Sequence, residues 1–302
     1  MKILYIDNKQ TCNYYQDTIK YLKKYNELKI CSPYSFLASR ENKNFNADII
    51  IIGYSVTNEK QINNLNINND LNLPLYIILN KEYDRIDEKL KWIKKMNPKK
   101  CFSVHHDIEL FEEKTKIPFI RIMWSADHNI FKKYDDLYKY DLFFSGVIRE
   151  EQTGNLRNKI YNIINQLESY NLLLRVAFFK NDKLQGKLYP FENLEYANRI
   201  NHSKICLVTT GPADLVGTRY FEVAASNKSL ILCNRMSEKI YKNFAIDKFN
   251  CIMFDDENDF IQKFKYYIEN EEERLNIVNN AYNHFINNLS WDYQIKYLIN
   301  NL

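Results

Sequence analysis

Short apolar runs alternate along this chain with longer polar stretches of helical spacing, and this alternation constrains the fold more than any other feature. Ile49–Gly53 and Leu75–Leu79 are apolar from end to end, as expected of central parallel strands covered on both faces. The first half offers strands at Lys2–Ile6, Lys29–Cys31, Ala47–Gly53, Leu75–Leu79, Lys100–Val104 and Phe119–Trp124. Helix-like stretches such as Tyr15–Lys24 and Ile86–Lys95 lie between them. A second series of strands runs through Asp141–Phe144, Leu172–Phe178, Ile205–Val208, Ser229–Cys233 and Cys251–Phe254. Its helices are expected at Asn155–Ser169, Phe191–His202, Arg219–Ser226, Glu238–Phe244 and Asp256–Glu269. Such alternation predicts an α/β protein with two Rossmann-like domains, each a parallel sheet with crossover helices. Ligands of that architecture bind at the carboxyl ends of the strands, so the two sheets are expected to face an interdomain cleft. The expected domains are 1–133 and 134–285. Residues 286–302 form a last helix expected to pack back toward the first domain, and Ala126–Tyr140 is the linker.

A chain of 302 residues with 45% hydrophobic and 15% aromatic residues has ample material for two cores. The net charge of +4 is mildly basic, which suits a phosphorylated ligand and is too weak to indicate nucleic acid. Six scattered cysteines without C-x-x-C spacing predict buried free thiols in a reducing compartment. No apolar run approaches the roughly 20 residues of a membrane span, and MKILYIDN reads as a strand, so the expected location is the cytoplasm.

Several chemistries lack their signatures. No G-x-G-x-x-G follows the first strand, and neither a P-loop nor G-x-S-x-G occurs. His105 and His106 would point to opposite sides of a continuing strand, which disfavours a joint metal site. Asp255-Asp256-Glu257 reads as a helix start with acids in its first turn.

The informative segment begins at Ser203. Ser203–Gly211 reads as a strand running into a loop of small residues, which then opens a helix near Thr218, a good N-cap. A helix N-terminus at a strand's carboxyl end offers free N–H groups and a favourable dipole to an anion. Arg219 adds a planar donor fork.

Asp214 and Glu222 are separated by seven residues, with Gly217 between them, and Arg219-Tyr220-Phe221-Glu222 precedes a small-residue stretch. This resembles the E-x7-E region of GT-B glycosyltransferases, with Asp replacing the first Glu. The R-x-F-E form is similar to that of the CgeB/YkvP-like branch of family-1-type enzymes. Asp141–Gly146 with Arg157 downstream resembles the branch's D-x-x-F-x-G…R segment, and Ser203-Lys204-Ile205 its S-K-I strand. Ser290-Trp291-Asp292-Tyr293 resembles its closing motif. The resemblance covers residues 140–300 well and the first half loosely. It departs at Asn227-Lys228-Ser229, where the family has a glycine.

The resemblance implies a metal-independent transferase that moves a sugar from a nucleoside diphosphate, such as a UDP-sugar, to a hydroxyl, with no bound cofactor. Glu222 would accept from the ribose hydroxyls, and Asp214 would sit by the sugar. Arg219 and the N–H groups near Gly217 and Thr218 would neutralise the diphosphate. Ser145, Gly146 and Arg149 would line its other side. Arg157 reads as a solvated helix position. A non-catalytic sugar- or nucleotide-binding module of the same fold and a nucleotide-sugar epimerase-like enzyme are the alternatives.

In the first half, Glu82 and Asp127 are the candidate catalytic bases, Asp127 also standing where such enzymes have their hinge. The acceptor, whether glycan, protein or lipid-linked, is not specified by the sequence. Lys89–Lys100, a basic helix end carrying Trp92, reads as a solvated face with weak peripheral membrane contact as the alternative.

Overall fold

The computed structural model describes residues 1–7, 13–33, 44–58, 62, 72–149, 156–180, 183–185 and 193–302. The chain divides into two units, Met1–Trp124 with Trp291–Leu302, and Ser125–Ser290.

The first unit runs β1 (Lys2–Ile6), α1 (Asn13–Tyr25), β2 (Glu27–Cys31), β3 (Ile49–Ile52), β4 (Leu75–Ile78), α2 (Ile86–Met96), β5 (Lys100–Ser103), α3 (Ile108–Thr115) and β6 (Phe119–Arg121). The strands form one parallel sheet in the order β2-β1-β3-β4-β5-β6. All four isoleucines of β3 and all four residues of β4 are buried, because helices cover both faces of a parallel sheet. The register pairs Ile3 with Ile49 and Ile52 with Ile77. Trp92, on α2, is 1% exposed and belongs to the same buried cluster as Ile50, Ile77 and Phe119. The basic stretch is therefore not one solvated face. Lys91, Lys94, Lys95 and Lys99 are exposed, whereas Lys89 and Trp92 point inward, so Trp92 is unavailable as a membrane anchor. The sequence reading has no helix at α3 because only Ile108 and Phe111 carry its apolar face, too few to show a period.

The second unit runs β7 (Tyr140–Arg149), α4 (Leu156–Ile163), β8 (Leu172–Lys180), β9 (Lys183–Gln185), α5 (Asn193–Asn201), β10 (Ser203–Val208), α6 (Thr218–Ser226), β11 (Leu230–Asn234), α7 (Glu238–Tyr241), β12 (Ile252–Phe254), α8 (Glu257–Glu269) and α9 (Glu271–Asn288). Its sheet order is β12-β11-β10-β7-β8-β9, parallel except for the β8–β9 hairpin. Counted within the unit, this is the 3-2-1-4-5-6 order of dinucleotide-binding folds, with its switch point between β7 and β10. The Asp256 side chain caps α8, accepting from the N–H groups of Asn258 and Asp259 at 2.9 and 2.8 Å.

The last helix, α10 (Trp291–Asn300), belongs to the first unit. Trp291 stacks near Tyr21 at 6.3 Å between centroids, Lys24 pairs with Asp292 at 2.7 Å, and Met123 donates its N–H to Gln294 at 3.1 Å. The unit boundaries fall at 124/125 and 290/291, beside 133/134 and 285/286 in the sequence reading. Cys31, Cys101, Cys206, Cys233 and Cys251 are buried free thiols; Cys12 lies outside the described residues.

Candidate functional site

In the second unit the site grows from two adjacent strands. Phe144 of β7 pairs with Leu207 of β10, so Ser145-Gly146 runs beside the end of β10 and the loop after it. That loop is closed by the N–H of Gly211 donating to Leu215 O at 2.7 Å. Ala213 and Asp214 adopt left-handed conformations with φ of 54° and 55°, each costing roughly 1–2 kcal/mol for a residue with a β-carbon. Such conformations persist only where surrounding structure enforces them. Asp214 is exposed and makes no side-chain hydrogen bond among the described residues.

Helix α6 starts one residue earlier than the cap chemistry suggests. Gly217 is its N-cap, in extended conformation and without a side-chain cap, and Thr218 is the first helical residue. A glycine cap brings no oxygen to the first-turn N–H groups, and that turn holds no acid. The positive end of the helix therefore stays open to an anion.

Two guanidinium groups converge over Gly146. A β-carbon there would lie 3.4 Å from Arg219 Nη1 and 3.7 Å from Arg157 Nη1, so glycine leaves a backbone floor beneath two positive charges. Arg219 donates its Nε–H to the Tyr196 hydroxyl at 3.0 Å, and that hydroxyl lies 3.3 Å from Ser145 Oγ. Burial pushes the Tyr196 phenol up to about 12, with nearby Glu222 adding to the rise and Arg219 opposing it. Glu222 is half-buried, one turn beyond Thr218 on the same helix face. Arg157 corrects the sequence reading, for it is not a solvated helix position. Its Nε donates to Thr209 Oγ1 at 2.7 Å, Nη1 to Val147 O at 3.2 Å and Nη2 to Thr210 O at 2.8 Å. These bonds tie the loop after β10 to β7. Asn234, at the end of β11, holds the same loop through Thr210, accepting from its N–H at 2.9 Å. The Arg149 backbone pairs with Phe179 at the end of β7; its side chain lies outside the described residues.

In the first unit, polar groups collect just beyond β3, β4 and β5. Glu82 is 3% exposed. Its Oε1 accepts from the Ser103 hydroxyl at 2.6 Å and the Val104 N–H at 3.2 Å, while Oε2 has no hydrogen-bond partner. Burial raises its pKa, outweighing the opposing effects of those bonds and of Lys89. Lys89 is fully buried and donates to Asn80 O at 2.7 Å and Lys81 O at 2.9 Å; burial brings its pKa down to about 8. Asp127, in the second unit, accepts from the Asn129 N–H and Nδ2 at 3.0 and 2.8 Å, which closes a turn.

His105 and His106 correct a second expectation. Strand β5 ends at Ser103, so the alternation of a strand no longer applies, and the two rings stack with centroids 4.5 Å apart at 17°. With Asp107 they form a cluster whose ligand atoms lie within 4.8 Å of one another, among the described residues. Yet His105 Nδ1 accepts from the Asp107 N–H at 3.0 Å. The neutral ring then carries its proton on Nε2 and has no lone pair left for a metal. As arranged, the three residues do not make a complete ligand set.

A family model described as glycosyl transferase-like matches residues 167–300. The comparison with curated proteins gives no sequence match. Among solved structures, the Anabaena Alr3699/HepE protein in complex with UDP aligns over 100% of both chains, with TM-score 0.61 and 9% identity. Its complex with UDP-glucose aligns equally, at 11% identity. Sucrose-phosphate synthase from Thermosynechococcus elongatus aligns over 99% of this chain and 98% of its own, with TM-score 0.65 and 10% identity. The fold is that of the GT-B glycosyltransferases, an α/β architecture with two parallel sheets. Among the described residues no helix is long and apolar enough to cross a membrane.

Sequence reasoning missed Tyr196 altogether, since nothing in its neighbourhood Leu194–Ile200 marks it. The D-x-x-F-x-G…R pattern did point to Arg157, but not to an inward-facing guanidinium.

Proposed function

We propose that this protein is a glycosyltransferase of the CgeB/YkvP-like branch, moving a sugar from a nucleoside diphosphate to a hydroxyl acceptor. The observation that carries the reading is the pair of guanidinium groups over Gly146, in the unit whose α6 N-terminus is uncapped. A diphosphate leaving group gains negative charge as the glycosidic bond breaks, and fixed donors stabilise it without reorganising. Arginines and a helix dipole supply that charge, so no metal is needed in this scheme. UDP is the first nucleotide to test, given the UDP and UDP-glucose complexes of the similar fold.

In this reading Arg219, Thr218, Gly217, Ser145, Gly146 and Arg149 hold the diphosphate. Glu222 accepts from the ribose hydroxyls, and Asp214 lies by the sugar. Glu82 is the favoured base for the acceptor hydroxyl because one of its buried oxygens is unused. Asp127 is the second candidate, its engaged Oδ1 favouring a turn-forming role. The test is a thermal-unfolding panel of UDP, GDP and ADP in EDTA. A ligand at 100 times its Kd stabilises by about 2.7 kcal/mol. Glu222→Gln should weaken the binding nucleotide by about 10-fold or more, the scale of a lost hydrogen bond to a charged acceptor. If the folded protein binds none of them, the donor-site reading falls.

A further inference from the structure

We propose that Tyr196 is a positioning residue for the diphosphate, aiming the Arg219 guanidinium so that its two terminal nitrogens face the phosphate oxygens. The proposal rests on the donor-site reading above and assigns a role to a residue outside the family motif. Arg219 Nε is spent on the Tyr196 hydroxyl at 3.0 Å. Its Nη1 and Nη2 have no hydrogen-bonded partner among the described residues. A guanidinium is planar, so fixing Nε and the side-chain stem fixes the direction of the remaining fork.

Tyr196 is itself held on both flanks. Its ring meets Phe143 of β7 edge-on at 5.6 Å and 61°, and Phe131 at 6.2 Å and 79°. Phe131 is placed by the Asp127 turn, whose carbonyl accepts its N–H at 2.8 Å. The hydroxyl is therefore aimed by packing against two aromatic rings, and it lies 3.3 Å from Ser145 Oγ. A ring fixed this way makes the arginine ready before the ligand arrives, which removes an ordering cost from binding.

The experiment compares UDP, GDP and ADP with uridine, guanosine and adenosine by titration calorimetry, on wild type, Tyr196→Phe, Arg219→Lys and the double variant. The phenylalanine keeps the ring and removes only the oxygen. The expected result is about 10-fold weaker binding of the diphosphate that wild type accepts, with the matching nucleoside unchanged. In the Arg219→Lys background the Tyr196 change should add nothing, since lysine lacks the Nε–H. Equal weakening of nucleoside and diphosphate would mean a merely structural role and overturns the proposal, as does additivity in the double variant. Unchanged diphosphate binding by Tyr196→Phe overturns it too while leaving the donor site standing. Failure of wild type to bind any diphosphate removes the donor reading and this inference with it. Should Tyr196→Phe not fold, Arg219→Lys decides: equal loss for nucleoside and diphosphate refutes the aimed fork.

Discussion

Replacing Glu82 by glutamine tests whether a buried charge is held at the first unit's strand ends. In the charged state the carboxylate gains two hydrogen bonds, from Ser103 and Val104, together worth roughly 3–6 kcal/mol for a charged acceptor. Against this stands the loss of water around a carboxylate that is 3% exposed and has one unpartnered oxygen, an effective penalty of several kcal/mol. The raised pKa says that desolvation wins. For a carboxyl raised by folding, the stabilising contribution is fully present below the unfolded value near 4.5. It is lost as pH rises through the folded value. Each unit of elevation amounts to about 1.4 kcal/mol, or some 3–11 °C in Tm for a unit of this size. Glutamine does not titrate, so Glu82→Gln should gain stability relative to wild type as pH rises from 5 to 8. Urea unfolding at several pH values measures the difference. Parallel stability curves, or a wild type that gains on the variant toward pH 8, would refute the argument. If Glu82 is also the base, kcat should fall about 10²- to 10⁴-fold in the same variant.

Gly146→Ala should lower nucleotide affinity at least about 10-fold with Tm nearly unchanged, because its methyl group meets Arg219 Nη1 at 3.4 Å without a backbone clash. Unaltered affinity in calorimetry would show that the floor under the arginines is not used. Gly53→Ala should destabilise the protein by about 1–3 kcal/mol, since its β-carbon would meet the buried Tyr5 hydroxyl and lie 2.5 Å from Asp7 Oδ2; an unchanged urea midpoint contradicts this. Lys89→Met strips the donor from two carbonyls and should destabilise by about 1–3 kcal/mol at pH 7.5. A lysine lowered to about 8 carries its burial penalty below that pH and sheds it toward 10.5, so wild type should gain further on the variant across that window. A difference independent of pH would refute the buried-charge account.

The strands were legible because their burial is written in composition. A run such as Ile49–Ile52 is stable only where both faces are covered, and both sheets lie where such runs predicted them. The α6 region was legible in part: its helix shows in the spacing, but the cap falls on Gly217 rather than Thr218. Short elements escaped, as with α3, where Ile108 and Phe111 alone on the inward face make no period. His105 and His106 were misread because the end of β5 depends on pairing with β6, not on local residue type.

The sequence by itself determined two parallel-sheet halves and a helix N-terminus ready for an anion, both consequences of periodicity and local chemistry. Only the tertiary structure decided that Arg157 turns inward to Thr209 and Thr210. It also decided that Arg219 and Arg157 meet over Gly146, and that Tyr196 grips Arg219. The hydrogen bonds among them join residues 23 to 53 positions apart. Their geometry follows from strand order and register, in which β7 and β10 lie side by side although α4, β8, β9 and α5 come between them in the chain. Local propensity carries no information about which strands become neighbours, so the site's charge geometry exists only once the sheet is built.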